Sequence, residues 1–129
     1  MLEIKPIEDK ALQEQLCNEA GVKYLPDALA YVAYVNTFEV GVCQFGLKGN
    51  TGYIYNLTPM GKRPEDTEAL FIMGRAVMSF MESCGAEYAD MEDTDATEER
   101  IKFVIGFKRN DEGKFIIPIK GMFEHHCKK

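Results

Sequence analysis

The sequence predicts an α+β fold, a central mixed and mostly antiparallel sheet flanked by helices, and three stretches predict it. Between residues 29 and 60 three β-rich runs follow one another across the turns Asn36-Thr37 and Lys48-Gly-Asn-Thr-Gly52, the pattern of an antiparallel meander. From Thr67 to Gly85 apolar residues recur at the spacing of an amphipathic helix. Directly after it, Ala86 to Met91 makes a short strand. Strand, helix, strand in succession implies a crossover that lays Tyr88 to Met91 parallel to Tyr53 to Thr58.

The elements follow in order. Leu2-Glu-Ile-Lys-Pro-Ile7 alternates apolar and charged side chains, the period of a half-buried strand, and Pro6 points to an edge position or a strand end. Ala11, Leu12, Leu16 and Ala20 then recur at helical spacing, with Asp9 as cap and Gly21 as stop. Residues 24–28 form a loop around a proline and an aspartate. Leu29 to Val35 and Phe38 to Phe45 are the first two strands of the meander, and Gly41 inside the second marks a bulge or a close approach. Tyr53 to Met60 is the third. In the long helix Ala69, Leu70, Met73, Ala76, Val77, Phe80, Met81 and Cys84 make the apolar stripe, with Asp66 or Thr67 as cap and Gly85 as stop. Asp95-Ala-Thr-Glu98 resembles a capping box that opens a further helix through about Ile105. Phe107 to Arg109, the turn Asn110-Asp-Glu-Gly113 and Phe115 to Ile119 complete the chain as a terminal hairpin.

Composition narrows the functional classes. A chain of 129 residues, 46% hydrophobic and 28% charged, is long enough to bury a core without staples and is expected to be one domain over 1–129. A net charge of −6 argues against a general nucleic-acid surface, though Lys62 with Arg63 can form a local basic spot. No apolar run approaches the length needed to span a bilayer, and the first five residues are too charged to begin a secretory signal, so no membrane role is expected and a cytoplasmic location is. Cys17, Cys43, Cys84 and Cys127 have no close spacing and read as free thiols, at least two of them in apolar patterns. Glu124-His-His-Cys127 contains metal-ligand types, but adjacent residues rarely converge on one ion and no second cluster completes a site.

The stretch from Gly52 to Gly85 is the candidate functional corner. A strand, a polar loop (Gly61-Lys-Arg-Pro-Glu-Asp66) and a helix N-terminus in succession present unpaired backbone N–H groups and the positive end of the helix dipole to an anion. The same acids, Glu65, Asp66 and Glu68, serve equally to complement the dipole of their own helix.

Three phrases carry a resemblance to a known family: Val32-Ala-Tyr-Val-Asn-Thr-Phe-Glu-Val-Gly-Val42, Asn56-Leu-Thr-Pro59, and Arg100-Ile-Lys-Phe-Val-Ile-Gly-Phe107. In that order and spacing they are similar to the second-to-third strand hairpin, the end of the fourth strand and the Gly-Phe segment of the GNAT superfamily of acyl-CoA-dependent N-acyltransferases. The resemblance covers nearly the whole chain. It implies transfer of an acyl group from acetyl-CoA, or another acyl-CoA, to an amine of a small molecule or peptide. It also places Leu57 and Thr58 of the fourth strand, and Lys62, Arg63 and Thr67 of the following loop, at the cofactor.

Aligned on Leu70-Phe71, residues Lys62 to Thr67 fall on the family's six-position pyrophosphate motif Q/R-x-x-G-x-G/A, but Glu65 and Thr67 stand where glycines belong. Glycine lets bare backbone wrap a phosphate, whereas a carboxylate about 4 Å from a phosphate charge is repelled by roughly 1 kcal/mol in bulk water. Pro64 also removes one donor. The family's acid on the fourth strand and its tyrosine before Gly-Phe are both missing, the latter position offering Lys102 and Phe103. Tyr55 and Glu92 are the remaining catalytic candidates. The alternative is a non-catalytic module of the same fold that binds another ligand or a protein. A homodimer formed through a C-terminal strand is also expected.

Overall fold

In the computed structural model, which describes residues 1–61, 66–91 and 108–123, six strands form one sheet in the order of the chain, β1 to β6. β1 (Leu2–Pro6), β2 (Leu29–Val35), β3 (Phe38–Lys48) and β4 (Thr51–Pro59) pair antiparallel. β5 (Tyr88–Asp90) runs parallel to β4, and β6 (Ile116–Pro118) returns antiparallel to β5. Pro6 does lie on an edge strand, where a missing ladder donor is tolerated.

Two helices cover opposite faces. α1 (Lys10–Ala20) starts where the Asp9 carboxylate accepts a 2.9 Å hydrogen bond from the Ala11 N–H, and ends at Gly21, whose φ of 78° suits a residue without Cβ. α2 (Thr67–Ser83) starts at Asp66, whose carboxylate accepts from the Ala69 N–H at 3.0 Å, so Asp66 rather than Thr67 is the cap. Successive strand residues point to opposite sides, so Val42 packs with Leu16 and Cys17 of α1 while Cys43 packs with Met73 and Met81 of α2.

The α2 face is the larger apolar layer. Phe45, Ile54, Leu57, Leu70, Met73, Met78 and Met81 are fully buried there, each side chain contributing about 1.5–3 kcal/mol on leaving water. Phe45 meets Tyr31 and Phe80 edge to face with centroids 5.4 and 5.8 Å apart, and Tyr31 and Phe80 are tilted against each other at 6.2 Å. The helix comes closest at two glycines. A Cβ on Gly41 would lie 2.9 Å from Leu70 Cδ2, and one on Gly52 would lie under 3 Å from three atoms of the Met81 side chain.

Several expectations need correction. Gly52 belongs to β4, where it pairs with Leu47, and the turn is Gly49-Asn50; a side chain at 52 would take the space Met81 fills. β3 runs on to Lys48. The predicted α2 stripe included Cys84, which is exposed past the helix end, and it missed Gly74 and Met78, which are buried because the helix lies flat on a broad sheet. The parallel register joins Thr51–Tyr53 to Tyr88–Asp90, starting two residues earlier in β4 than expected, since Asn50 O receives the Glu87 and Tyr88 N–H groups and so fixes the start of β5. β6 pairs with β5, while Asn110 to Gly113 do form a turn held by Asn110. The predicted helix at 95–105 and the strand residue Phe107 lie outside the described residues.

Candidate active site

β4 is irregular at its centre. Gln44 pairs with Asn56, but the next pair is Phe45 with Ile54, so Tyr55 is an extra residue and makes a bulge. The bulge turns Tyr55 and Asn56 away from α2 while Ile54 and Leu57 on either side stay in the apolar core. A side chain amide replaces the lost regularity: Asn56 Oδ1 accepts from the Gln44 main chain at 3.1 Å and from Gln44 Nε2 at 3.0 Å, and Asn56 Nδ2 donates to Val42 O at 3.1 Å.

That amide is the centre of a buried polar network. Gln44 Oε1 accepts from Gln13 Nε2 of α1 and from the Leu25 N–H, both at 2.9 Å, and Gln44 Nε2 donates to Lys23 O at 2.8 Å. Lys10 Nζ donates to Ala28 O at 2.6 Å and to Gln13 Oε1 at 3.1 Å. Asn56 Nδ2 also donates to the Thr58 hydroxyl at 3.0 Å. Gln13, Gln44, Asn56 and Thr58 are all buried, and none of the described buried side-chain polar atoms lacks a partner. The network fastens the loop between α1 and β2 onto the bulge. Sequence reasoning missed Gln13 and Gln44; the signal available was a glutamine inside the apolar run of β3 and another beside Leu16 on the buried face of α1.

The ladder between β4 and β5 consists of three pairs and stops at Tyr53 with Asp90, whereas β4 continues to Pro59. The second half of β4 therefore runs on past the end of the described β5 ladder and leads to Met60, whose N–H donates to Val40 O, and then toward the α2 N-terminus. On the α1 face, a cavity of about 520 Å³ opens between the α1–β2 loop (residues 25–29), the end of β3 and the ring of Tyr55.

The predicted site residues are thus partly assembled. Leu57 is fully buried against α2, so its side chain belongs to the core. Thr58 is turned to the α1 face with its hydroxyl engaged by Asn56. Thr67 is half-buried at the first position of α2, next to the capping Asp66. Tyr55 is half-buried at the cavity. Lys62, Arg63, Pro64, Glu65 and Glu92, together with His125 and Cys127, lie outside the described residues.

Burial pushes the Cys17 thiol up to about 11 and raises that of Cys43 further, so both stay protonated and unreactive at neutral pH. The Tyr31 hydroxyl is raised for the same reason, with Cys84 and Cys43 adding to it. Among the described residues no helix is long and apolar enough to cross a membrane.

No sequence-family profile and no curated protein sequence matches the chain. Solved structures do. The chain is similar to the ribosomal-protein-S18-alanine N-acetyltransferase from Escherichia coli (11% identity, 93% of this chain and 95% of that one, TM-score 0.65). It is equally similar to the PaiA N-acetyltransferase from Thermoplasma acidophilum in complex with coenzyme A (14%, 90% and 96%, 0.64). The IAA acetyltransferase from Bacillus cereus is a third (16%, 86% and 79%, 0.64). The six-stranded mixed sheet with its two helices is the GNAT acyl-CoA N-acyltransferase fold.

Proposed function

We propose that the protein is an N-acyltransferase that moves an acyl group from acyl-CoA, with acetyl-CoA the first donor to test, to an amine of a small molecule or peptide. The observation that carries this reading is the β4–β5 ladder, which among the described residues ends at Tyr53 and Asp90 beside the Tyr55 bulge, on a strand that leads toward the α2 N-terminus, within a fold shared with acetyltransferases.

Among the described residues β4 outruns β5 toward the α2 N-terminus, and a strand that outruns its neighbour can seat an extended ligand arm, so an acyl-CoA fits this corner. Leu57 and Thr58 lie on the stretch of β4 along which the arm would run. The first turn of α2 and Thr67, with Lys62 and Arg63 from the preceding loop, would hold the phosphates. The bound group supplies a thioester whose C–S bond breaks as the amine forms a C–N bond, with one proton lost from the amine. Tyr55, the bulge residue, lines the cavity and is the described candidate for moving that proton; Glu92 is the second.

Calorimetry with acetyl-CoA should register binding, and release of free thiol in the presence of an amine panel should follow. Absence of heat at millimolar ligand would remove the proposal. A second reading, a non-catalytic module of this fold, is favoured by one observation: the Asp66 carboxylate already occupies the helix terminus and takes the Ala69 N–H. If that carboxylate blocks phosphate, Asp66→Ala should tighten acetyl-CoA binding. Turnover by the unaltered protein would defeat the second reading.

A further inference from the structure

The cavity beside Tyr55 has features that select a ligand. Its walls are largely apolar: Leu25, Pro26 and Leu29 on the loop side and Leu47 on β3, with Leu29 and Leu47 exposing 45% and 38% of their surface. Two charged side chains interrupt them, Asp27 from the loop and Lys48 from the end of β3. Neither is in an ion pair among the described residues, so each is available to a ligand. Room is made at Gly46, where a Cβ would stand 3.0 Å from the Tyr55 hydroxyl oxygen and 3.2 Å from the ring. The loop wall would be a poor site if it moved, but Leu25 is bonded through both its N–H and its carbonyl, to Gln44 and Gln13, and Ala28 through its carbonyl to Lys10. The wall and the strand that carries Tyr55 are one hydrogen-bonded unit, organised before any ligand arrives. A volume of about 520 Å³ suits a small molecule.

We infer that this cavity binds a small zwitterion with an apolar body, an apolar amino acid or a compound of that shape, with its ammonium at Asp27 and its carboxylate at Lys48. Resting on the acyltransferase reading, the same molecule is the acceptor: ammonium and thioester give amide and thiol, with one proton released to solvent.

The test is calorimetry in the absence of acyl-CoA, with L-phenylalanine, phenethylamine and 3-phenylpropionate as probes. Phenylalanine should bind roughly three- to tenfold more tightly than either compound lacking one charge, with the advantage shrinking as salt is added. Lys48→Ala should erase the advantage over phenethylamine alone, and Asp27→Asn the advantage over 3-phenylpropionate alone. Gly46→Leu, which pushes a side chain toward Tyr55, should weaken all three. Equal binding of the three probes, or no binding of any, overturns the inference. Amine acylation indifferent to these variants would sink it and leave the proposed function standing. Discriminating binding without turnover on any donor would do the reverse.

Discussion

The two faces of the sheet solve different problems. Toward α2 the central strands present Phe45, Ile54 and Leu57 to a helix surface of leucine, valine and methionine, and no buried polar side chain among the described residues lies in that layer. Toward α1 the same strands present Gln44, Asn56 and Thr58, joined to Gln13 and to the main chain of a loop. Apolar packing is strong and only loosely directional, so it stabilises the fold. A satisfied polar network adds little net energy but admits few alternative arrangements, so it fixes an irregular feature, here a bulge and a loop, in one geometry. The face that carries the candidate acceptor cavity is the one that is specified rather than merely packed.

The sharpest way to break that contrast is Phe45→Ala, which empties the centre of the α2 face and should cost about 3–5 kcal/mol in urea unfolding. Loss of stability well under that would show the α2 face to be a softer layer than its burial implies. Gln44→Met keeps the volume but orphans the Leu25 N–H and the Lys23 carbonyl, and should cost about 3 kcal/mol. Unlike Phe45→Ala, it should also raise hydrogen exchange in residues 23–28 beyond the global change. Gly52→Ala should cost about 1–3 kcal/mol through collision with Met81, and Met81→Ala in the same chain should recover part of it, a coupling visible in a double-mutant cycle. Smallest is the thiol contribution. Cys17 in the folded protein keeps its proton up to about 11, above its ordinary value of 9.0, so its stabilising effect is complete below pH 9 and is lost as pH rises toward 11. Thermal melts should show a shallower alkaline decline in Cys17→Ala than in the unaltered chain.

The contrast between the faces also explains what could be read in the sequence. Apolar periodicity and cap chemistry placed α1 between Asp9 and Gly21, β2 at its observed limits and α2 from Asp66 onward, because each depends on neighbours a few residues apart. Gly41 was legible as a bulge or close approach and is near both: Val40 is the extra residue beside it, and Leu70 lies over it. The register of β5 was not legible. It is set by Asn50 O, a single acceptor dozens of residues earlier, and by no pattern within β5 itself. Nor was the network legible, because a lone glutamine in a strand says nothing about which distant glutamine will meet it. At the site, Leu57 and Thr58 were named as ligand contacts from a resemblance, yet their side chains are committed to the core and to Asn56.

The sequential strand order has a consequence at the margins of the sheet. Among the described residues β1 and β6 are outermost, and a strand at a sheet margin presents a row of hydrogen-bonding groups that another chain could extend. Ile7 donates its N–H inward to Ala30 O, and Ile119 donates inward to Glu87 O, so the residue before each faces outward. Those residues are Pro6 and Pro118, which have no N–H to give. Both margins therefore carry a gap where a foreign strand would seek a donor, a safeguard against runaway edge-to-edge aggregation.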